Sequence, residues 1–276
     1  MSAPCCPPGS LGLPFEADTK PKGSLSTIPS SGDIPSMLIY QSPTSKEKSS
    51  KKKAIVVFSD VFGFDAGNHR LFCDALSEGV GEDIDVFLPD LFRGNNAIQP
   101  LTFLPEALAV PLAALGMLYR LKFTYTVETT IHVDVGRLII PYLRSLGYES
   151  FGCVGFCFGG WAVAQCLALE SSPFSAGVGI HPSLNVEDLH RRPVADLAKR
   201  VGKTPLLLLP AGNDKREVKP GGVAVRILAE SRGVDESEIS VEFPDQIHGF
   251  VSRGEPSEDQ KRAIDKSAKH FIKHLS

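Results

Sequence analysis

The stretch Ala54-Ile55-Val56-Val57-Phe58 sets five apolar residues in unbroken succession, between Lys51-Lys52-Lys53 and Ser59-Asp60. A half-exposed strand alternates apolar with polar residues, so a short unbroken run marks a strand covered on both faces. Further short apolar strands continue the series at Ile84–Leu88, Phe151–Gly155, Ala176–Ile180, Leu206–Leu209 and Ile239–Phe243. Segments of helical periodicity lie between them. Asn68–Glu78 places Leu71, Phe72, Ala75 and Leu76 on one side, and Glu128–Leu146 repeats Ile131, Val135, Leu138, Ile139 and Leu143. Trp161–Leu169 and Val223–Ala229 add two further helices, and a charged amphipathic helix from Ser257 to Leu275 closes the chain. Strands alternating with helices predict the α/β class: a mostly parallel central sheet, helices on both faces, and no large separate lid domain.

Outside this series the pattern weakens. Met1 to about Ser31 is rich in Pro, Gly and Ser and is expected to be irregular, with Met37–Tyr40 a short strand after it. Residues 1–53 therefore read as an N-terminal segment and 54–276 as one domain. Leu101–Phe123 is apolar but interrupted by Pro105 and Pro111 and is assigned to no element; for its most apolar stretch, Ala107–Tyr119, a buried helix or pocket wall is the plain reading.

Composition narrows the function classes. The net charge is −3, with Lys and Arg dispersed among Asp and Glu, so no basic stripe predicts a nucleic-acid partner. Lys51-Lys52-Lys53 reads as a solvated strand start rather than a nuclear address. Ala107–Tyr119 falls short of the roughly 20 apolar residues that a membrane span needs, so no membrane partner is expected. Met1–Lys20 lacks a basic region followed by an apolar core. The six cysteines, Cys5, Cys6, Cys73, Cys153, Cys157 and Cys166, match no zinc spacing, and read as reduced thiols of a cytoplasmic protein, monomer or homodimer.

In an open α/β sheet, ligand-binding groups collect at the carboxyl ends of strands. Gly155-Phe156-Cys157-Phe158-Gly159-Gly160 lies there, between a strand and a helix. This is the nucleophile-elbow layout G-x-S-x-G with Cys in place of Ser, its glycines demanded by a crowded turn where a Cβ would strike a neighbouring strand or helix. The following helix start favours a thiolate, and a backbone N–H after the nucleophile can hold an oxyanion. The bland reading of Cys157 is a small buried hydrophobe. His248 follows the last apolar run, and Asp214 follows Leu206–Leu209, so nucleophile, acid and histidine come in the order an α/β-hydrolase uses. Asp245, three residues before His248, competes with Asp214. His181, after Ala176–Ile180, reads equally as a pocket residue or a structural hydrogen-bonding group. His69, His132, His190, His270 and His274 read as surface residues.

Taken together, Ser59-Asp60-Val61-Phe62-Gly63, Pro89-Asp90-Leu91-Phe92, the Cys157 elbow, the Asp214 loop and His248-Gly249-Phe250 resemble the dienelactone hydrolase (carboxymethylenebutenolidase) family, fungal members included. The resemblance runs from about Ala54 to Leu275, and Cys5-Cys6-Pro7-Pro8-Gly9 is similar to the family's opening segment. It implies an α/β-hydrolase fold in which Cys157 attacks a lactone or ester carbonyl, His248 moves protons and Asp214 orients it. The N–H groups of Val61 and Phe158 would form the oxyanion hole. Around the acyl group the resemblance implies Asp60, Phe62, Arg93, His181, Phe250 and Arg253. Two departures stand out: Asp60 occupies the place of a glutamate in the bacterial enzymes, and Arg93 and Arg253 each fall one residue from the family's carboxylate-binding arginines. The reaction needs no cofactor or metal, and its partner is a small-molecule lactone or ester. Two other classes use the same residues: isomerisation, cyclisation or C–C cleavage in secondary metabolism, and a non-catalytic ligand-binding scaffold.

Overall fold

The computed structural model describes residues 6, 7, 10, 20–43, 52–97 and 105–275; Cys5, Lys51 and Leu101–Leu104 lie outside the described residues. Seven strands form one sheet in the order β1-β2-β4-β3-β5-β6-β7. They are β1 (Ser24–Ile28), β2 (Met37–Gln41), β3 (Lys52–Phe58), β4 (Ile84–Pro89), β5 (Tyr148–Phe156), β6 (Phe174–Ile180) and β7 (Leu206–Leu209). From β4 to β7 every pairing is parallel, while β1 and β2 are antiparallel additions at one edge.

The helices are α1 (His69–Val80), α2 (Glu106–Phe123), α3 (Ile140–Ser145), α4 (Phe158–Leu167), α5 (Val194–Val201), α6 (Val223–Arg232) and α7 (Glu258–His274). Alternate residues of β3 serve opposite faces. Ala54, Val56 and Phe58 join the core beneath α2–α6, and Ile55 and Val57 join the core beneath α1 and α7. Covering on both faces is why that run contains no polar residue.

Several expectations need correction. Ser24–Ile28, inside the segment expected to be irregular, is a strand, and only Ile28 of its five residues is buried. The expected strand Ile239–Phe243 reduces to two isolated parallel bridges, Leu208 with Ser240 and Ala211 with Phe243. Its ladder is interrupted at Pro210, which accepts from the Phe243 N–H (2.8 Å) but has no N–H to return. The helix expected over Glu128–Leu146 begins with π-type winding over Val127–Ile139, where the Ile140 N–H bonds back to Val135, and continues as α3. Its five periodic apolar residues are all buried. Within Leu101–Phe123, Glu106–Phe123 is helical through Pro111 and is no pocket wall along its length: Met117 and Leu121 are buried, but Leu108, Leu112, Leu115, Tyr119 and Phe123 face solvent. No helix among the described residues is long and apolar enough to cross a membrane.

Candidate active site

Between β5 and α4 the chain turns through a single residue, Cys157, at φ 53° and ψ −113°. A side chain in this region costs about 1–3 kcal/mol, so the surroundings must hold it there. The Cys157 N–H donates to Ile180 (3.2 Å), and its carbonyl accepts from Gly160 (3.0 Å) and Ser183 (2.9 Å). The glycines act as anticipated. A Cβ on Gly155 would overlap the backbone of Gly159, one on Gly159 would overlap the carbonyls of Phe58 and Ser59, and one on Gly160 would lie 2.6 Å from the Pro182 side chain. The start of α4 thus packs directly on the carboxyl ends of β5 and β3, beside the turn that carries Val61. Phe158 opens α4, so its N–H has no acceptor four residues back within the helix.

His248 and Asp214 arrive from loops at the same edge. A ring nitrogen of His248, Nδ1, lies 2.6 Å from Asp214 Oδ1. The second carboxylate oxygen accepts the Ala211 N–H at 2.8 Å, and the His248 N–H donates to Asn213 Oδ1 at 2.7 Å. Both partners of the pair are buried, whereas Asp245 is exposed, so Asp214 is the carboxylate that reaches the imidazole. With Nδ1 engaged, the opposite side of the ring addresses sulfur: the ligand atoms of His248, Cys157 and Cys6 lie within 4.8 Å of one another. Burial, the largest influence on His248, opposes its positive charge, but Cys157 and Asp214 together with the other bonds outweigh it and hold the imidazole well above its ordinary range. By contrast, burial pushes the thiols of Cys73, Cys153 and Cys166 up, which leaves them inert.

The remaining expected residues fall into two sets. His181 is buried 4.8 Å, centroid to centroid, from the His248 ring, and burial lowers its basicity well below the usual range. It is therefore a neutral wall beside the base, with Phe250 on its other side at 5.9 Å. Asp60 is fully buried but its carboxylate serves its own surroundings: it accepts from Phe62 N–H (3.0 Å) and Ser252 Oγ (3.0 Å), and lies 3.4 Å from Arg253 Nε. Arg253 stacks over Phe62 at 4.6 Å. Arg93 grips Asp134 with two bonds, 2.7 and 3.2 Å. Arg93 thus holds one of the protein's own carboxylates, whereas Arg253 lies beside Asp60 with its Nε and one terminal nitrogen buried and without a hydrogen-bond partner among the described residues. His69 and His270 are corrected from surface to buried, His69 against Phe156 at 5.1 Å.

Three residues around the site had no role assigned from sequence. Cys6 Sγ lies 3.6 Å and Ser183 Oγ 3.4 Å from Cys157 Sγ, and Asn213 anchors the histidine loop through the His248 N–H. Ser183 follows β6, where the strand-end rule would have found it; Cys6 lies 151 positions from its partner, and the resemblance of Cys5–Gly9 to the family's opening segment gave it no role.

A strained cysteine between strand and helix, with a buried histidine–carboxylate pair behind it on a parallel sheet, defines an α/β-hydrolase. Solved structures share the fold: a dienelactone hydrolase-like promiscuous phosphotriesterase from metagenomic libraries (TM-score 0.57, 13% identity, 92% of this chain and 100% of that one). Est1E from Butyrivibrio proteoclasticus is also similar (TM-score 0.54, 12% identity, 90% and 99%). Residues 42–276 match the dienelactone hydrolase family, and the chain belongs to it. It is 28% identical over 232 residues to the carboxymethylenebutenolidase homolog of Homo sapiens, covering 81% of this chain and 82% of that protein. Identity to the Xenopus tropicalis homolog is 27% over 241 residues, with 84% of each covered. The protein is a hydrolase of the ester or lactone type.

Proposed function

We propose that Cys157, His248 and Asp214 form the triad of this hydrolase and that the reaction passes through a thioester on Cys157. The observation that carries this reading is the buried imidazole held between a carboxylate at 2.6 Å and the cysteine sulfur. A thiolate is the nucleophilic form of cysteine, and an adjacent imidazolium stabilises it. The thiolate adds to the acyl carbonyl, forming a C–S bond while the carbonyl electron pair moves to oxygen. The N–H groups of Val61 and Phe158 hold that oxyanion; one such donor contributes about 2.7–4 kcal/mol to the transition state. Collapse expels the alkoxide, which takes the proton from His248. Water then attacks the thioester with His248 as base, and the thiolate leaves.

The two hydrogen bonds by which Arg93 holds Asp134 take that guanidinium away from substrate and favour an uncharged acyl group over a carboxylate-bearing one. Phe62, His181 and Phe250 supply apolar and neutral walls.

Replacing Cys157 with Ala should abolish hydrolysis of small activated esters, while Cys157→Ser should retain a trace, since geometry survives and nucleophilicity falls. Full activity in pure Cys157→Ala protein ends the proposal. Product analysis in ¹⁸O-labelled water separates hydrolysis, which places one solvent oxygen in the acid, from isomerisation, which places none.

A further inference from the structure

Among the described residues, Cys6, Cys157 and His248 are the group of His, Cys and carboxylate side chains close enough to share one metal ion. Cys6 has no part in the acyl-transfer steps, yet its sulfur stands 3.6 Å from that of Cys157, and the His248 nitrogen completes a triangle with no edge over 4.8 Å. We propose that these three side chains form a site for a thiophilic divalent cation of the zinc class, and that its occupation switches the hydrolase off by engaging the nucleophilic sulfur.

Three independent features support the assignment. The first is distance. Zn–S bonds of about 2.3 Å at a tetrahedral angle place two sulfurs roughly 3.8 Å apart, and a Zn–N bond of about 2.0 Å places sulfur and nitrogen roughly 3.5 Å apart. The two sulfurs already stand near that spacing. The second is the donor set: two thiolates and an imidazole match soft and borderline cations and disfavour Mg²⁺ or Ca²⁺, which require oxygen. The third lies behind the imidazole. A metal-bound histidine characteristically gives its other ring N–H to a carboxylate, which fixes the tautomer and strengthens the ligand. Asp214 accepts that bond at 2.6 Å. The arrangement that prepares His248 to take a proton from sulfur therefore also prepares it to ligate a cation beside that sulfur.

Three protein ligands leave a fourth tetrahedral position open to water, so the ion is held without full enclosure. Binding displaces the proton carried by the Cys157–His248 pair and the thiol proton of Cys6, releasing them to solvent. It also ties up the sulfur lone pair that would attack a carbonyl and the nitrogen that would carry the proton. Inhibition is reversible, because a chelator restores both groups unchanged.

The test uses the full chain under a phosphine reductant, which keeps the sulfurs from forming a disulfide. Co²⁺ is titrated first. One equivalent should bind with tetrahedral d–d absorption and a near-ultraviolet thiolate-to-cobalt charge-transfer band, a signature that requires sulfur ligation and does not depend on any catalytic reading. Zn²⁺ should displace the Co²⁺, inhibit ester hydrolysis with the same stoichiometry, and be reversed by EDTA. In Cys6→Ser and Cys6→Ala, the free Zn²⁺ that halves each variant's own metal-free activity should rise on the order of a hundredfold, and the charge-transfer band should weaken. Cys166→Ala, which alters a buried thiol away from the site, should behave as the parent protein. The proposal is overturned if no charge-transfer band develops, or if both Cys6 variants keep the parent's cation affinity. The inhibition rests on the triad reading: if Co²⁺ binds through sulfur while Cys157→Ala retains hydrolysis, the cation site stands, but the triad assignment and inhibition through the sulfur both fail.

Discussion

The Asp214–His248 pair offers the sharpest test of the chemistry, through Asp214→Asn. The native carboxylate accepts two hydrogen bonds, from His248 Nδ1 at 2.6 Å and from the Ala211 N–H at 2.8 Å. An asparagine has the same shape but only one acceptor oxygen. The buried Ala211 N–H can use nothing else, so the amide oxygen turns to it and the NH₂ group faces His248. An NH₂ there demands a bare Nδ1, which puts the imidazole proton on the nitrogen that faces sulfur. The base then presents a donor where an acceptor is required, and the buried imidazolium loses its counter-charge. Tautomer reversal of this kind in a triad costs about 10⁴-fold in turnover. Cysteine is the more reactive nucleophile, so a loss on the order of 10³- to 10⁴-fold in kcat/KM is expected, or about 4–5.5 kcal/mol at 1.36 kcal/mol per decade. Because the packing is conserved, stability should fall by only about 1–2 kcal/mol, the difference between charge-assisted and neutral hydrogen bonds. Steady-state hydrolysis of an activated ester across pH, with iodoacetamide alkylation of Cys157 and urea unfolding in parallel, measures all three quantities. A variant within tenfold of the parent and with the same pH profile would refute the argument.

The close packing of the elbow predicts that Gly159→Ala destabilises the fold by about 3 kcal/mol or more, since the new methyl overlaps the Phe58 carbonyl. Gly116→Ala on α2, where a methyl meets nothing within 4 Å, should instead stabilise by up to about 1 kcal/mol; urea unfolding distinguishes the two. Burial lowers His69, His181 and His270, the last to about 3, so the unfolded chain takes up protons that the folded one refuses. Stability should therefore be fully present above about pH 6.5 and decline as pH falls below it, by about 1.4 kcal/mol per unit for each histidine. His270→Gln should flatten that slope. His248 acts with the opposite sign: its raised basicity contributes stability below pH 6.5 that is lost as pH climbs through its folded value. Arg93→Ala should leave the preference between neutral and carboxylate-bearing esters unchanged, since its guanidinium is committed to Asp134; a lost preference for acidic substrates would show that it reaches them.

What the chain disclosed in advance follows from how far each signal extends. The central strands were visible because burial on both faces leaves few polar residues in them, as in the five unbroken apolar positions of Ala54–Phe58. The candidate residues Cys157, Asp214 and His248 were visible because each follows an apolar run and their order along the chain matches the fold. The strand Ser24–Ile28 was not: on an exposed edge it has a single buried residue, so its composition resembles a loop. The burial of His69 and His270 was hidden because helix polarity patterns average over faces, and each sits beside buried aromatic or aliphatic neighbours whose identity depends on the tertiary fold. The missing ladder at Ile239–Phe243 was readable in principle, but from Pro210 on the partner strand, not from the segment itself. The Cys6–Cys157 approach joins residues 151 positions apart and exists only once the chain has folded.

The family match begins at residue 42, one position after β2 ends. A fragment cut at that boundary would remove the two strands at one edge of the sheet while keeping Cys157, Asp214 and His248. It would also remove the clasp in which the Tyr40 hydroxyl bonds Asp74 at 2.6 Å and accepts the Gly23 N–H, with the Lys22 N–H reaching the same carboxylate. The backbone of β4, now covered through Ile39, Tyr40 and Gln41, would become an open edge able to recruit other chains. Fragments for expression or chimera building should therefore start before Lys20; shorter ones are expected to self-associate into inactive aggregates rather than yield a smaller hydrolase.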